Sequence, residues 1–244
     1  MDWHTRYANQ AQWTRSLREY ILPKAGIESA QRILEVGCGT GAILSAIKTP
    51  AQTIGIDIDR AGLSQALNYA PSASLIEADG QRLPFAPQSF DIVYCHFVLL
   101  WARDPLKMLI AMKRAAKIGG AIIAFAEPDY SKRMDRPQEL SALGMAQREA
   151  LIAQGADPDI GSRLGNLFDR AEIKLHEYGA LGSGAGDQVP ITNGAEEWAV
   201  IESDLAGIDH RLDLAHLKKI HDQACEKRER TLFVPTFFAW GKVV

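Results

Sequence analysis

Three carboxylates in the first third of the chain could do chemistry together. Glu35, Asp57 and Asp79 each fall at, or beside, the end of a predicted strand. The first of them precedes a glycine run, Gly37-Cys38-Gly39-Thr40-Gly41. Glycines in such a run let the backbone adopt positive φ and approach a ligand with no Cβ in the way. Ile33, Leu34 and Val36 supply the apolar run of a buried strand leading into the turn, and Ala42 to Ile47 continue beyond it as a helix. Strand, glycine turn and helix together leave several backbone N–H groups free at a helix N-terminus.

Two classes of ligand use a turn of this kind. Gly37, Gly39 and Ala42 match the spacing of a dinucleotide fingerprint, and Asp57 stands where a ribose-binding acid belongs. A pyrophosphate would, however, be repelled by the neighbouring carboxylates at 35, 57 and 79. S-adenosylmethionine carries a sulfonium, an ammonium and one carboxylate, so an acidic rim suits it.

The wider pattern resembles a family. Glu35 to Gly41 is similar to motif I of the class I S-adenosylmethionine-dependent methyltransferases, of the type 11-like group. Further matches follow in the family's order: Gly55-Ile56-Asp57-Ile58-Asp59, then Ala78-Asp79-Gly80 with Leu83-Pro84-Phe85. Phe90-Asp91-Ile92-Val93-Tyr94 and Lys117-Ile118-Gly119-Gly120 complete the series, the last with Ile118 where the family usually has proline. The resemblance implies cofactor contacts from Glu35, Gly37, Cys38, Gly39, Gly41, Asp57, Ile58, Asp79, Gly80 and Cys95. Asp57 would accept both ribose hydroxyls, and Asp79 would lie near the adenine amino group. It also implies an N-terminal helical lid over residues 1–28, from which Tyr7, Trp13 or Arg15 could reach the cofactor; an aromatic face gains cation–π attraction from a sulfonium.

Methyl transfer from a sulfonium needs no protonation of its leaving group, so alignment and desolvation can supply most of the catalysis. A base is needed only when the nucleophile starts protonated. Candidates are His96, just after the fourth strand, and Glu127, Asp129 and Tyr130, just after the fifth. A lone histidine at a strand end is more often a satisfied structural group. No Asn/Asp-Pro-Pro-Tyr/Phe segment is present, which favours a small-molecule acceptor. Two rivals remain: an NAD(P)-binding oxidoreductase and a non-catalytic S-adenosylmethionine-binding protein. The sole Tyr-x-x-x-Lys, Tyr20 to Lys24, precedes the glycine turn and weighs against the first.

The elements that must hold these residues alternate between strand and helix. An α/β fold is expected: a Rossmann-like, seven-stranded, mostly parallel sheet with helices on both faces and an antiparallel last strand. The spacing predicts a helix over residues 3–22 ended by Pro23 and Gly26, and strands at 53–57, 74–78, 91–95, 121–126 and 174–179. Asp59 should cap the helix after the second strand, and Asp104-Pro105 should begin another. Helices are expected over 137–154 and 159–171, and helical pattern returns over 194–230. A last strand over 232–241 contains Pro235, which argues for an edge or a bulge. The whole reads as one domain, 1–244, with a cofactor half (30–130) and a substrate half (131–244). A helical insertion (182–230) would form either a substrate cap or a homodimer face.

Composition excludes several classes. Of 244 residues, 47% are hydrophobic and 23% charged, the balance of an ordinary globular domain. A formal charge of −3 without a basic block offers nothing to a nucleic-acid backbone. No apolar run is long enough to span a membrane, and the N-terminus does not begin as a signal peptide. The three cysteines, Cys38, Cys95 and Cys225, are scattered and show no metal-ligand spacing, so no metal is expected and a cytoplasmic setting is the simplest.

Overall fold

The structure is a computed structural model that describes residues 3–181, 193–207 and 211–244. Its N-terminal part runs α1 (Trp3–Trp13), α2 (Arg15–Ala25), β1 (Arg32–Val36), α3 (Ala42–Ala46), β2 (Gln52–Asp57), α4 (Arg60–Tyr69), β3 (Ser74–Glu77) and β4 (Phe90–Cys95). Then come α5 (Pro105–Ala115), β5 (Ala116–Pro128), β6 (Met134–Arg136), α6 (Ser141–Ala153), α7 (Leu164–Arg170) and β7 (Lys174–Leu181). The chain closes with α8 (Gly194–Leu205), α9 (Leu214–Glu226), β8 (Thr231–Phe233) and β9 (Thr236–Lys242).

Seven strands form one sheet in the order β3-β2-β1-β4-β5-β9-β7. The first five run parallel, and β9 is antiparallel to both of its neighbours. The chain moves outward from β1 to β3 and then returns to place β4 beside β1. That reversal opens a crevice at the carboxyl ends of β1 and β4, where α/β sheets of this kind bind ligands. Alternating side chains of the central strands bury both faces. Leu34, Val36, Val93 and Ile122 meet α5 and α7 on one side. Ile33, Ile92, Tyr94 and Ile123 meet α2 on the other, through Leu17, Ile21 and Leu22.

The expected caps are present. Asp59 accepts hydrogen bonds from Ala61 N at 2.9 Å and Gly62 N at 3.1 Å, and Asp104 accepts from Lys107 N at 2.9 Å ahead of Pro105. Other boundaries differ from the sequence expectation. The first helix divides at Thr14, and Pro23 lies inside the last turn of α2, which ends on left-handed Gly26 (φ 90°). Lys117-Ile118-Gly119-Gly120 is drawn into β5 as an irregular start, with Gly119 N bonded to Val243 O. The last strand is broken around Pro235: β8 pairs with β6 in a separate two-stranded sheet, while β9 enters the main sheet as an interior strand, not an edge. Part of the expected insertion, with its Gly182-Ser183-Gly184-Ala185-Gly186 connection, lies outside the described residues. The helices that are described, α8 and α9, pack against α6 through Leu143, Ala146, Trp198, Ile201 and Leu217, a third apolar cluster apart from the sheet.

Candidate functional site

The site is built from the glycine turn outward. Gly37, Gly39 and Gly41 all have positive φ (73°, 50° and 79°), so the turn follows a path that L side chains rarely adopt. At Gly37 there is also no room: a Cβ there would stand 2.4 Å from a methyl of Val98. Asp57 braces the turn from below. Its Oδ2 accepts from Gly39 N at 2.6 Å and its Oδ1 from Asp59 N at 2.8 Å. Each oxygen keeps a second lone pair, so the carboxylate can still receive two hydroxyls.

Glu35 lies beneath the same turn, 2% exposed, with Oε2 accepting from the Tyr94 hydroxyl at 3.0 Å. Burial pushes its carboxyl up to about 8; the Tyr94 bond and the Arg18 charge oppose that shift, and the Asp57 charge adds to it. The Asp57 charge thus disfavours ionisation of Glu35, which keeps its proton near neutral pH. Burial, with these two acids, also raises the Cys38 thiol, which is therefore an un-ionised packing group. Asp79 turns the chain after β3 by accepting from Gln81 N at 2.8 Å. Gly80 is squeezed against Val36 and Met108, where a Cβ would come within 2.9 Å of both side chains. Ile58 is exposed just past β2, and Cys95 turns its side chain into the core while its backbone closes β4.

The N-terminal helices lie across this turn. His4 stacks on Tyr69 and bonds through Nδ1 to Thr40 Oγ1 at 2.9 Å. Tyr7 comes within van der Waals reach of the position a Gly39 Cβ would take, and the charges of Asp57 and Asp59 help to raise its phenol. Trp13 and Arg15 do not share that position. Trp13 is 72% exposed and Arg15 pairs with Glu19 on the surface, because the break at Thr14 turns the chain between them.

His96 stands beyond β4, and its Nε2 meets Thr14 Oγ1 at 2.9 Å. Thr14 donates its one proton to Ala11 O at 3.2 Å and accepts from Arg18 at 2.5 Å. With the Thr14 proton on Ala11 O, the His96 bond runs from Nε2–H to the hydroxyl and Nδ1 is an acceptor; with that proton on Nε2, Nδ1 carries the ring hydrogen. Burial, followed by the Arg18 charge, lowers this histidine to about 3. It is held neutral, suited to receiving a hydrogen bond and poor as a proton store.

The acids at the end of β5 have structural duties, and Glu127, expected just after the strand, lies within it because β5 runs on to Pro128. Glu127, fully buried, accepts from Val98, Leu99 and Leu100 N at 2.9, 2.8 and 3.1 Å, and so fixes the turn that presses Val98 against Gly37. Asp129 caps the short turn over 130–132, accepting from Ser131 N at 3.1 Å and pairing with Lys132 at 3.2 Å. Among the described residues the Tyr130 hydroxyl has no such commitment. It borders a polar cavity of about 300 Å³ with Ser131, Arg133, Ser141 and Arg148, and burial raises its phenol.

Sequence reasoning missed Thr14, Arg18 and Tyr94. A signal for Arg18 existed, because it shares the i, i+3, i+4, i+7 stripe of Ile21, Leu22 and Ala25, all buried in α2. A charge on an apolar stripe is the informative exception.

Comparison with known proteins agrees with this geometry. Residues 34–124 match the family described as a methyltransferase domain. The match makes this segment methyltransferase-like, and it lies within the Rossmann-like sheet. Among curated relatives, a demethylmenaquinone methyltransferase of Renibacterium salmoninarum is 30% identical over 120 residues, covering 48% of this chain and 51% of that protein. A malonyl-[acyl-carrier protein] O-methyltransferase of Pseudescherichia vulneris is 26% identical over 117 residues, covering 48% and 47%. The chain thus spans about half the length of these relatives. Among solved structures, a Bacillus halodurans protein described as a methyltransferase superposes with a TM-score of 0.62 at 14% identity, over 91% of this chain and 96% of that one. The [4+2]-cyclase SpnF superposes at 0.60 and 16% identity, over 93% and 80%. These likenesses are of fold alone. Among the described residues no helix is long and apolar enough to cross a membrane, and no cluster of side chains could hold a metal ion.

Proposed function

We propose that this protein transfers a methyl group from S-adenosylmethionine to a polar small molecule. The observation that carries the reading is the meeting of Glu35 and Asp57 beneath a left-handed glycine turn. The Asp57 carboxylate disfavours a pyrophosphate there, and an ammonium brought to Glu35 favours its ionised form, so the pair suits a cation-bearing nucleoside. Bound there, the cofactor supplies a methyl group on a sulfonium with a neutral thioether as leaving group. Asp57 would accept the ribose hydroxyls, Asp79 the adenine amino group, and Glu35 would face the ammonium. Gly37, Gly39, Gly41 and Gly80 let the backbone come close, while Tyr7 and α1 exclude water from above. The backbone of Cys38, Ile58 and Cys95 lines the same crevice.

On the acceptor side, neutral His96 in the tautomer protonated at Nε2 would offer Nδ1 to a nucleophile that arrives with a proton. Tyr130 faces the polar cavity and is the remaining candidate base; Glu127 and Asp129 already hold backbone. The serines and arginines of that cavity support a polar acceptor over a long apolar one. We read α8 and α9 as a cap over this half: they bury an apolar face against α6, and Asn9 on α1 bonds to Glu196 on α8 at 2.9 Å. A reducing cytoplasm is the proposed setting, since the three cysteines are unpaired.

Incubation with methyl-labelled cofactor and a panel of small carboxylates, amines and phenols should transfer label to at least one class. Tight cofactor binding with no labelled product from any of them would move the reading to a non-catalytic binder or to other chemistry. The SpnF likeness shows that this fold is also found in a cyclase.

A further inference from the structure

The cavity beside Tyr130 adjoins a larger one. A second cavity, of about 910 Å³, shares Arg133, Asp135 and Ser141 with it and is bordered by residues of β6 and β8. Its floor is fixed. Arg133 and Arg230, both with buried side chains, share the Asp135 carboxylate, and Arg230 also donates to Arg136 O at 3.1 Å and Thr231 O at 2.9 Å. Strand register sets Arg136 opposite Thr231. The rim is different in kind. Arg136 and Arg228 line the same cavity and are exposed, and among the described residues no hydrogen bond or ion pair engages either side chain. Glu229, on the same walls, pairs with neither of them. Arg228 holds left-handed backbone (φ 59°) just past the end of α9, where glycine would be free of strain and arginine is not. On a chain with a formal charge of −3, two uncommitted cations thus meet on one cavity of ligand size.

We propose that this larger cavity is the subsite for an anionic group of the methyl acceptor, held by Arg136 and Arg228 while the reacting end lies beside Tyr130. The inference rests on the reading of the protein as a methyltransferase, and it deepens that reading by giving the acceptor a negative charge remote from the methylated atom. Guanidinium groups suit the task, because their fork of donors matches a carboxylate or a phosphate ester and stays charged at any working pH. Two like charges on one cavity repel each other when it is empty, and an anion between them relieves that repulsion. Asp135 does not compete with the ligand, since both of its oxygens already accept from Arg133 and Arg230. Ser141 and Thr231 add hydroxyl donors to the same walls. The shared chemistry is oxyanion recognition, and a carboxylate and a phosphate ester are its two sources.

The test is titration calorimetry with phenyl phosphate, phenylacetate and the neutral 2-phenylethanol, joined by thermal melting. The parent should bind at least one of the anions saturably and the alcohol about tenfold more weakly or not at all; the tighter anion names the source. Arg136→Met and Arg228→Gly should each weaken that anion about fivefold or more. Arg170→Met removes an exposed cation that does not line the cavity, and should leave the affinity within about twofold. Without ligand, Arg228→Gly should melt no lower than the parent, because glycine relieves the left-handed backbone. A lower melting point would give Arg228 to the fold and overturn its place in the subsite. Unchanged anion affinity in Arg136→Met and Arg228→Gly, equal weakening in Arg170→Met, or an alcohol bound as tightly as the anions would each overturn the proposal. Saturating S-adenosylhomocysteine should leave anion affinity within about twofold, and mutual exclusion would place the anion in the cofactor crevice instead. A parent that binds S-adenosylhomocysteine but neither anion overturns this inference alone. One that binds an anion but not S-adenosylhomocysteine overturns the methyltransferase reading, and with it the assignment of the anion to an acceptor.

Discussion

At the scale of single residues, the account turns on how each acid is partnered. Asp57 holds Gly39 N and Asp59 N and keeps lone pairs for a ligand, so Asp57→Ala removes both the brace and the receptor. Charged hydrogen bonds of this kind are worth ~1.5–3 kcal/mol, so affinity for S-adenosylhomocysteine should fall roughly 10- to 100-fold. Calorimetry would show it, and unchanged affinity would remove the ribose assignment. Glu35 makes a different prediction. Its carboxyl is raised from 4.5 to about 8 in the folded protein. Between those values the folded state keeps a proton that the unfolded chain has lost, so stability falls as pH rises through that window. Glu127, raised to about 7 by burial, acts in the same sense. Glu35→Gln is neutral throughout. Its melting temperature should therefore decline less than the parent's between about pH 5 and pH 8, and parallel curves would contradict the assignment. The motif acids were legible because their spacing relative to predicted strands is rigid. Arg18 showed only as a charge on the apolar stripe of α2, and its partner Thr14 was hidden because the helix break that turns it inward leaves no mark in the periodicity.

At the scale of elements, the strands that carry the crevice could be read from apolar runs, and the helices that begin on Asp59 and Asp104 from their caps. Breaks were harder. Nothing in the periodicity around Trp13 to Leu17 announces that the first helix divides at Thr14, and that division is what sends Trp13 to solvent and Thr14 inward. Pro235 was correctly suspicious but for a different outcome: it lies where one predicted strand becomes two that serve different sheets. The packing of α8 and α9 was least legible, since it is held by polar contacts between segments far apart in sequence. Arg230, wholly buried, donates to Asp135 on β6 at 2.7 Å and to Glu197 on α8, and Glu197 also meets His221 on α9 at 3.1 Å. Arg230→Met would leave Glu197 with His221 alone. Breaking a buried pair by removing one partner costs ~3–5 kcal/mol. Helices α8 and α9 should then melt before the sheet, visible as an early transition in Trp198 fluorescence; a single unshifted transition would show that the network contributes little.

At the scale of the whole molecule, α1 joins the glycine turn to α8. Its His4 and Tyr7 lie on the turn, and its Asn9 reaches Glu196 on α8. The cofactor half follows from a backbone geometry that few ligands share, which is why it could be read from glycines and acids at fixed spacing. The acceptor half asks mainly for alignment and dryness, and these leave no fixed residue pattern. The central claim concerns only the first half: the crevice between β1 and β4 holds a nucleoside bearing a cation, not a pyrophosphate. Titration of the unmodified protein with S-adenosylhomocysteine and, separately, with NADH tests it most directly. Saturable heat with S-adenosylhomocysteine and none with NADH is the predicted result, whereas saturable NADH binding with no response to S-adenosylhomocysteine would contradict the account.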